Sequence, residues 1–79
     1  MYSQTLEKII SIMSDQLCLD AAKINENSRI KSDLDINSLE LLNVIIVIEE
    51  EFEILVEEQR LEKIKTVGDL ARYVFERNN

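Results

Sequence analysis

The chain has few of the residue types on which enzyme sites depend. Its 79 residues include no histidine, no proline, no tryptophan, one glycine (Gly68) and one cysteine (Cys18). Without histidine, neither a Ser-His or Cys-His nucleophile nor an ordinary zinc site can be assembled, so we expect no hydrolysis by this chain alone. A single cysteine forms no internal disulfide. We interpret Cys18 as a small apolar residue at the end of a helix and assign it no role.

Long hydrophobic runs are also absent. The longest, residues 41–48, is interrupted by Asn43 and falls far short of the ~20 residues that span a bilayer. Residues 1–13 lack the positive segment and unbroken apolar run of a signal peptide. The sequence therefore predicts no membrane helix and a cytoplasmic protein.

Positive charge is missing from residues 33–58. This segment contains no Lys or Arg, and it holds nine acidic residues: Asp33, Asp35, Glu40, Glu49, Glu50, Glu51, Glu53, Glu57 and Glu58. The whole formal charge of −7 comes from it, because bases outnumber acids in the rest of the chain. With no basic patch to replace phosphate counterions, we expect no nucleic-acid binding. Such a one-sided field favours a basic partner instead.

The composition, 46% hydrophobic and 32% charged, is typical of one globular domain over residues 1–79. Without proline and with one glycine, the chain is expected to be all-α, a four-helix bundle with a long loop between helices 1 and 2 and a short third helix. Apolar spacing predicts helix 1 over residues 4–17, with Ser3 available as its cap. Residues 18–36 then predict an ordered loop pinned to the core by Leu19, Ile24, Ile30 and Leu34.

Residues 39–48 are so rich in Val, Ile and Leu that composition alone is equally compatible with a buried strand. Asn37 and Glu40 favour a helix, because their spacing matches a capping box. The predicted apolar face of this second helix consists of Leu41, Val44, Ile45, Ile48 and Phe52. Three apolar residues lie beyond it, so we expect core, cargo or partner to cover more than one side: Leu42, Ile46 and Val47.

Two further helices complete the prediction. A brief third helix over residues 57–63 contributes Leu61 and Ile64 to the core. Thr66 and Asp69 have the spacing of a second cap and open the last helix. Its inward residues are predicted to be Val67, Leu70, Ala71 and Val74.

Calcium is a rival explanation for the acidic segment. Asp33, Asp35 and Asn37 match positions 1, 3 and 5 of an EF-hand loop. Position 6, however, requires glycine and is Ser38, and position 12 requires glutamate and is Val44. We therefore predict no EF-hand and no specific metal site. Loose binding of divalent cations, which would neutralise part of the clustered negative charge, stays open.

Ser38 is the candidate functional residue. A serine at a helix start is usually a cap, but here Asn37 can serve as the cap and leave the Ser38 hydroxyl pointing outward. With no base nearby, the hydroxyl can be an acceptor for another enzyme but not a catalytic nucleophile. A phosphodiester at this position would lie against unpaired backbone N–H groups at the positive end of the helix dipole.

Four segments, spread over essentially the whole chain, stand where one known family has similar residues: Asp33-Leu34, Ser38-Leu39, Glu49-Glu50-Glu51-Phe52 and Lys63-Ile64-Lys65-Thr66-Val67. The sequence resembles the acyl carrier proteins, whose serine carries a 4'-phosphopantetheine arm within an Asp-Ser-Leu motif. The resemblance implies a four-helix bundle and a covalent 4'-phosphopantetheine, taken from coenzyme A, on Ser38. It also implies that helix 2 is the recognition helix, with Glu40, Ile46 and Glu50 at partner-contacting positions.

The function implied by the resemblance is that of a monomeric, non-catalytic carrier of acyl thioesters in fatty acid or related, polyketide-type biosynthesis. Its partners would be a phosphopantetheinyl transferase and acyl-processing enzymes with basic patches. The alternatives are a peptidyl or aminoacyl carrier of a dedicated pathway and an unmodified acidic interaction module.

The chain departs from the family's common residues at four positions. Asn37 stands in place of the usual Asp, Asp35 in place of a common Gly, Asn43 in place of a common Glu and Glu57 in place of a common Pro. These departures concern the pathway more than the modification, and they are compatible with a carrier that serves a dedicated synthase.

Overall fold

The computed structural model describes residues 2–78. Within this range the chain forms four α-helices: α1 (Tyr2–Leu17), α2 (Ser38–Phe52), α3 (Glu58–Leu61) and α4 (Val67–Asn78). One turn of 3-10 helix, Ala21–Lys23, lies inside the long connection from α1 to α2. The described residues form no strand, and Arg29 and Thr66 make an isolated antiparallel bridge. The predicted all-α class, the long loop and the short third helix are confirmed.

Helix α1 begins earlier than the sequence pattern indicates. Ser3 lies inside the helix, so its prediction as the cap was wrong. The reason is the packing of Tyr2, whose hydroxyl donates to Glu26 Oε2 at 3.0 Å and to the Gly68 carbonyl oxygen at 3.4 Å. Its ring also meets the Phe75 ring edge-on, with centroids 6.0 Å apart. These contacts hold Tyr2 within the first helical turn.

The core lies between α1, α2 and α4, and α1 packs against both of the other helices. The four residues predicted to face inward on α4 are all 0% exposed, and the predicted face of α2 is buried as far as Ile48. Phe52 is partly buried at the edge of the core. Helix α1 contributes Ile9 and Met13, which are also 0% exposed. The periodicity of the sequence therefore identified the inner faces of α2 and α4.

The loop over residues 18–36 is fastened to the start of α4. Ile24 and Ile30 are buried as predicted, and Leu19 and Leu34 are partly buried against the core. Three backbone hydrogen bonds join the loop to the α4 region: Ile30 N to Lys65 O (2.9 Å), Val67 N to Ser28 O (3.0 Å) and Gly68 N to Glu26 O (2.8 Å). A Cβ at Gly68 would lie 2.8 Å from the Glu26 carbonyl oxygen, so only glycine permits this close approach.

Helix α3 is shorter than the predicted range of residues 57–63. Glu57 has an extended backbone and its side chain makes no capping bond, so the helix starts one residue later. At the other end the Lys63 amide donates to the Arg60 carbonyl oxygen, an i to i−3 bond that tightens and ends the helix. Ile64 is nevertheless buried and Leu61 partly buried, as expected.

Candidate functional site at the start of helix α2

A reciprocal capping box opens helix α2. Asn37 Oδ1 accepts from the Glu40 amide at 2.8 Å, and Glu40 Oε1 accepts from the Asn37 amide at 3.1 Å. Asn37 itself is extended, with φ −84° and ψ 173°. An N-cap of this type stabilises a helix by about 1 kcal/mol. The predicted cap is confirmed, and the cap position is filled by Asn37 rather than by Ser38.

Ser38 is the first residue of α2 and is exposed. It lies between two buried anchors, because Ile36 is 3% exposed on the loop side and Leu41 is 6% exposed on the helix side. The Ile36 amide also donates to the Ile30 carbonyl oxygen at 3.1 Å, which fixes the end of the loop. The hydroxyl is therefore held outside the core on a backbone that is anchored on both sides.

The amides of Ser38 and Leu39 have no hydrogen-bond partner among residues 2–78. The first amides of an α-helix lack intrahelical acceptors, and here the cap satisfies only that of Glu40. Two N–H groups and the positive end of the helix dipole thus remain open beside the Ser38 hydroxyl. This arrangement attracts an anion such as a phosphate.

The turn before the site has a left-handed residue, Asp35, with φ 54°. Among non-glycine residues, Asp and Asn adopt this conformation most readily. The backbone therefore explains why glycine suits this position and why aspartate can replace it.

An exposed apolar stripe runs along α2 from the residue after Ser38. Leu39 is 69% exposed, Leu42 39% and Ile46 52%, and their spacing places them on one side of the helix. Val47 belongs to the other side, since it packs against the core. Sequence analysis identified Leu42 and Ile46 as residues beyond the core face but missed Leu39. The i, i+3, i+7 spacing of these three residues was the signal that it overlooked.

The acidic residues of α2 differ in what their carboxylates contact. Glu49 Oε2 accepts from the Val56 amide at 2.9 Å and so braces the segment after the helix. Glu51 lies 3.9 Å from Lys8 Nζ in an ion pair whose side chains are about half exposed. Glu50 is exposed and has no partner within the described residues. Of the predicted partner-contacting acids, Glu50 is therefore free, whereas Glu40 is held in the capping box.

The residues considered for metal binding have separate tasks. Asp33 Oδ2 accepts from the Arg29 amide at 2.9 Å, and Asn37 caps α2. Between residues 2 and 78 no group of three or more acidic, His or Cys side chains is placed to hold a metal ion. Cys18 is exposed just after α1, with φ 55°. None of the helices within residues 2–78 has the length and apolar character needed to cross a membrane.

Comparison with known proteins identifies the family. The family described as "Phosphopantetheine attachment site" matches residues 7–74. The acyl carrier protein of Chlamydia felis is 44% identical over 63 residues, covering 80% of this chain and 81% of the relative. That of Chlamydia caviae is 40% identical over 68 residues, covering 86% and 88%.

The chain belongs to the acyl carrier protein family. A third relative, the acyl carrier protein of Clostridium acetobutylicum, is 38% identical over 68 residues, again 86% of this chain and 88% of the relative. The cofactor of the family is 4'-phosphopantetheine. The start of α2 fits this group, because an exposed hydroxyl stands beside two amides that are free to receive a phosphate.

Proposed function

We propose that this protein carries acyl groups as thioesters on a 4'-phosphopantetheine arm attached to Ser38. The single observation that supports the attachment point most strongly is the filled cap: Asn37 bonds the Glu40 amide, which leaves the exposed Ser38 hydroxyl without a structural task. When bound, the arm supplies the thiol on which an acyl group is held.

The chain itself would do no chemistry. It has no histidine, and the region around Ser38 offers carboxylates but no basic side chain from residue 33 to residue 58. The base that activates the hydroxyl must therefore come from a phosphopantetheinyl transferase. In that transfer Ser38 Oγ bonds the pantetheine-linked phosphorus of coenzyme A, the P–O bond of the pyrophosphate breaks, and 3',5'-ADP leaves. The transferase's base takes the hydroxyl proton.

Partner enzymes would bind along α2 through basic patches, with Glu40, Ile46 and Glu50 as contact residues. Ile46 is half exposed and Glu50 is exposed, and the stripe of Leu39 and Leu42 extends the same surface to Ser38. Charge complementarity of this kind speeds association more than it strengthens binding, so exchange between enzymes stays fast. Binding is expected to weaken as salt is raised.

The names of the relatives, acyl carrier proteins, favour an acyl cargo over the peptidyl or aminoacyl alternative. We propose that this cargo belongs to fatty acid or related, polyketide-type biosynthesis. We propose a monomer that works in the cytoplasm. The third alternative, an unmodified acidic module, makes a different prediction for the test below.

The test is modification with coenzyme A and a phosphopantetheinyl transferase, followed by intact mass. The wild-type protein is expected to gain one phosphopantetheine, and Ser38→Ala is expected to gain none. Ser32→Ala is the matched control, since Ser32 is an exposed loop serine, and it should be modified like the wild type. Failure of the wild type to gain mass with several transferases, or modification of Ser38→Ala, would overturn the proposal.

A further inference from the structure

A surface pocket of about 750 Å³ lies between the long loop and the segment that joins α3 to α4. Leu61 and Ile64 supply its apolar lining, and its charged residues are Arg29, Lys31, Lys65 and Glu62. Its volume is in the range of ligand sites in proteins, about 300–1,000 Å³. The proposed attachment role of Ser38 makes no use of these side chains.

The frame of this pocket is fixed by backbone hydrogen bonds. Ile30, between Arg29 and Lys31, donates its amide to the carbonyl oxygen of Lys65 at 2.9 Å. Arg29 and Thr66 form the antiparallel bridge beside it. These hydrogen bonds fix the backbone of the loop against that of the α3–α4 segment. The side chains of Arg29, Lys31 and Lys65 therefore extend from neighbouring stretches of chain.

The lining of the pocket is more positive than the molecule as a whole, since it has three cations and one carboxylate and the chain has a formal charge of −7. Two further carboxylates lie next to the lining and are engaged by backbone amides: Asp33 accepts from Arg29, and Asp69 accepts from Lys65. Within residues 2–78 the ion pairs involve Lys8 and Arg77, so the charged side-chain nitrogens of Arg29, Lys31 and Lys65 have no carboxylate oxygen within 4 Å. Unpaired cations above an apolar lining suit a ligand with an aliphatic body and an anionic end.

The pocket is close to Ser38. The Ile36 amide lies 3.1 Å from the carbonyl oxygen of Ile30, the residue between Arg29 and Lys31. Ser38 follows Ile36 by two residues, which span at most about 7 Å. A group tethered to Ser38 by a flexible arm can therefore fold back onto this pocket.

We propose, on the basis of the carrier function proposed above, that this pocket binds an acyl cargo whose free end is a carboxylate. The chain of such a half-thioester of a dicarboxylic acid lies on Leu61 and Ile64, and its carboxylate meets Arg29, Lys31 and Lys65. A neutral chain of equal length gains the apolar contact but not the charge contact. The pocket thus selects acidic over neutral cargo.

The experiment compares protein loaded with adipoyl-phosphopantetheine and protein loaded with hexanoyl-phosphopantetheine, each prepared from the acyl-coenzyme A and a transferase. Intact mass is read first, so failure of the carrier function appears as missing mass and overturns both proposals. Amide NMR spectra are then compared with those of the unacylated form at Lys31, Ser32, Glu62 and Lys65. Adipoyl is expected to shift these resonances more than hexanoyl does.

The variants Lys31→Gln and Lys65→Gln each remove one pocket cation, and Lys63→Gln is the matched control because Lys63 does not line this pocket. Each pocket variant should reduce the adipoyl-specific occupancy about twofold to fivefold, the effect of one exposed ion pair, and Lys63→Gln should leave it unchanged. Added salt should lower it as well.

Three results would overturn the pocket assignment. Equal shifts from adipoyl and hexanoyl would mean that the cations do not bind the terminal carboxylate of the cargo. Equal losses in Lys63→Gln and Lys65→Gln would mean a general charge effect. The same shifts from free adipate, added to the unacylated form at the protein's concentration, would mean that tethering is irrelevant.

Discussion

Helices α2 and α4 begin with the same local device, but their first turns have opposite surroundings. Asn37 and Glu40 cap each other's amides at the start of α2. Thr66 and Asp69 do so at the start of α4, where Thr66 Oγ1 accepts at 3.0 Å and Asp69 Oδ2 at 3.2 Å. The two caps therefore share the same reciprocal pair of hydrogen bonds, and Asp69 Oδ2 accepts one more from the Lys65 amide at 3.1 Å.

The next two residues differ completely. In α4 Val67 is 0% exposed, and the amides of Val67 and Gly68 donate to carbonyl oxygens of the loop. In α2 Ser38 and Leu39 are exposed, and their amides have no acceptor in the described chain. A cap depends on residues close in sequence. The accessibility of a helix start depends instead on tertiary contacts with distant parts of the chain. The loop covers the start of α4 and leaves the start of α2 open.

Exchanging the side chains at the two first positions should give the largest effect. Val67→Ser leaves a cavity and buries a hydroxyl, so we expect the free energy of unfolding to fall by about 2–4 kcal/mol. Ser38→Val changes an exposed residue and should stay within about 0.5 kcal/mol. Urea unfolding followed by circular dichroism measures both. Similar losses in the two variants would contradict the difference in burial.

The second positions give a smaller contrast. Gly68→Ala places a methyl group 2.8 Å from the Glu26 carbonyl oxygen, which should lower the free energy of unfolding by about 1–3 kcal/mol. Leu39→Ala is the counterpart in α2, and since Leu39 is 69% exposed it should cost no more than about 0.5 kcal/mol. Thermal unfolding distinguishes the two. A Gly68→Ala protein as stable as the wild type would contradict the close approach of the Glu26 carbonyl oxygen to α4.

The caps themselves should behave alike. Asn37→Ala and Thr66→Ala each remove one side-chain acceptor from a helix start, and each should lower the free energy of unfolding by about 1 kcal/mol. The measurement is urea unfolding of both variants under the same conditions. No loss in Asn37→Ala would show that Ser38 takes over the cap, which removes the argument for a free hydroxyl.

The smallest expected effect is a pH dependence of the free energy of unfolding. It arises from Tyr2, whose hydroxyl bonds the Gly68 carbonyl oxygen near the start of α4. Partial burial, followed by the hydrogen bond to Glu26 and its negative charge, raises the pKa of Tyr2 above its ordinary value. The folded state thus favours the protonated hydroxyl. Its contribution to stability is present below the unfolded pKa of about 10 and is lost as the pH rises through the folded pKa.

Unfolding measured between about pH 9 and about pH 12 should show this loss in the wild type and less of it in Tyr2→Phe. Identical pH profiles for the two proteins would contradict the assignment.

Local sequence was sufficient for both caps and for the buried faces of α2 and α4, because these depend on residue spacing alone. It was not sufficient for the start of α1, where Tyr2 is held by Glu26 and Gly68 from distant parts of the chain. The charged pocket was also out of reach, since Lys31 and Lys65 come together only through the bond from Ile30 to Lys65.

For the candidate site, the pattern around Asn37 predicted both the position of Ser38 at the helix start and unpaired N–H groups beside it. Which two of these amides are open depends on the tertiary structure, because no carbonyl oxygen of residues 2–78 accepts from Ser38 or Leu39. The spacing alone predicted a cap of the same kind at the start of α2 and of α4. Tertiary contacts make them different.

The most direct test of this difference is amide hydrogen exchange at four positions, before and after treatment with coenzyme A and a phosphopantetheinyl transferase. We predict that Ser38 and Leu39 exchange fast in the untreated protein and slow down once Ser38 is modified, because the phosphate accepts from them. Val67 and Gly68 should be protected in both forms. Protected Ser38 and Leu39 amides in the untreated protein, or no change on modification, would contradict an open helix start that receives the arm.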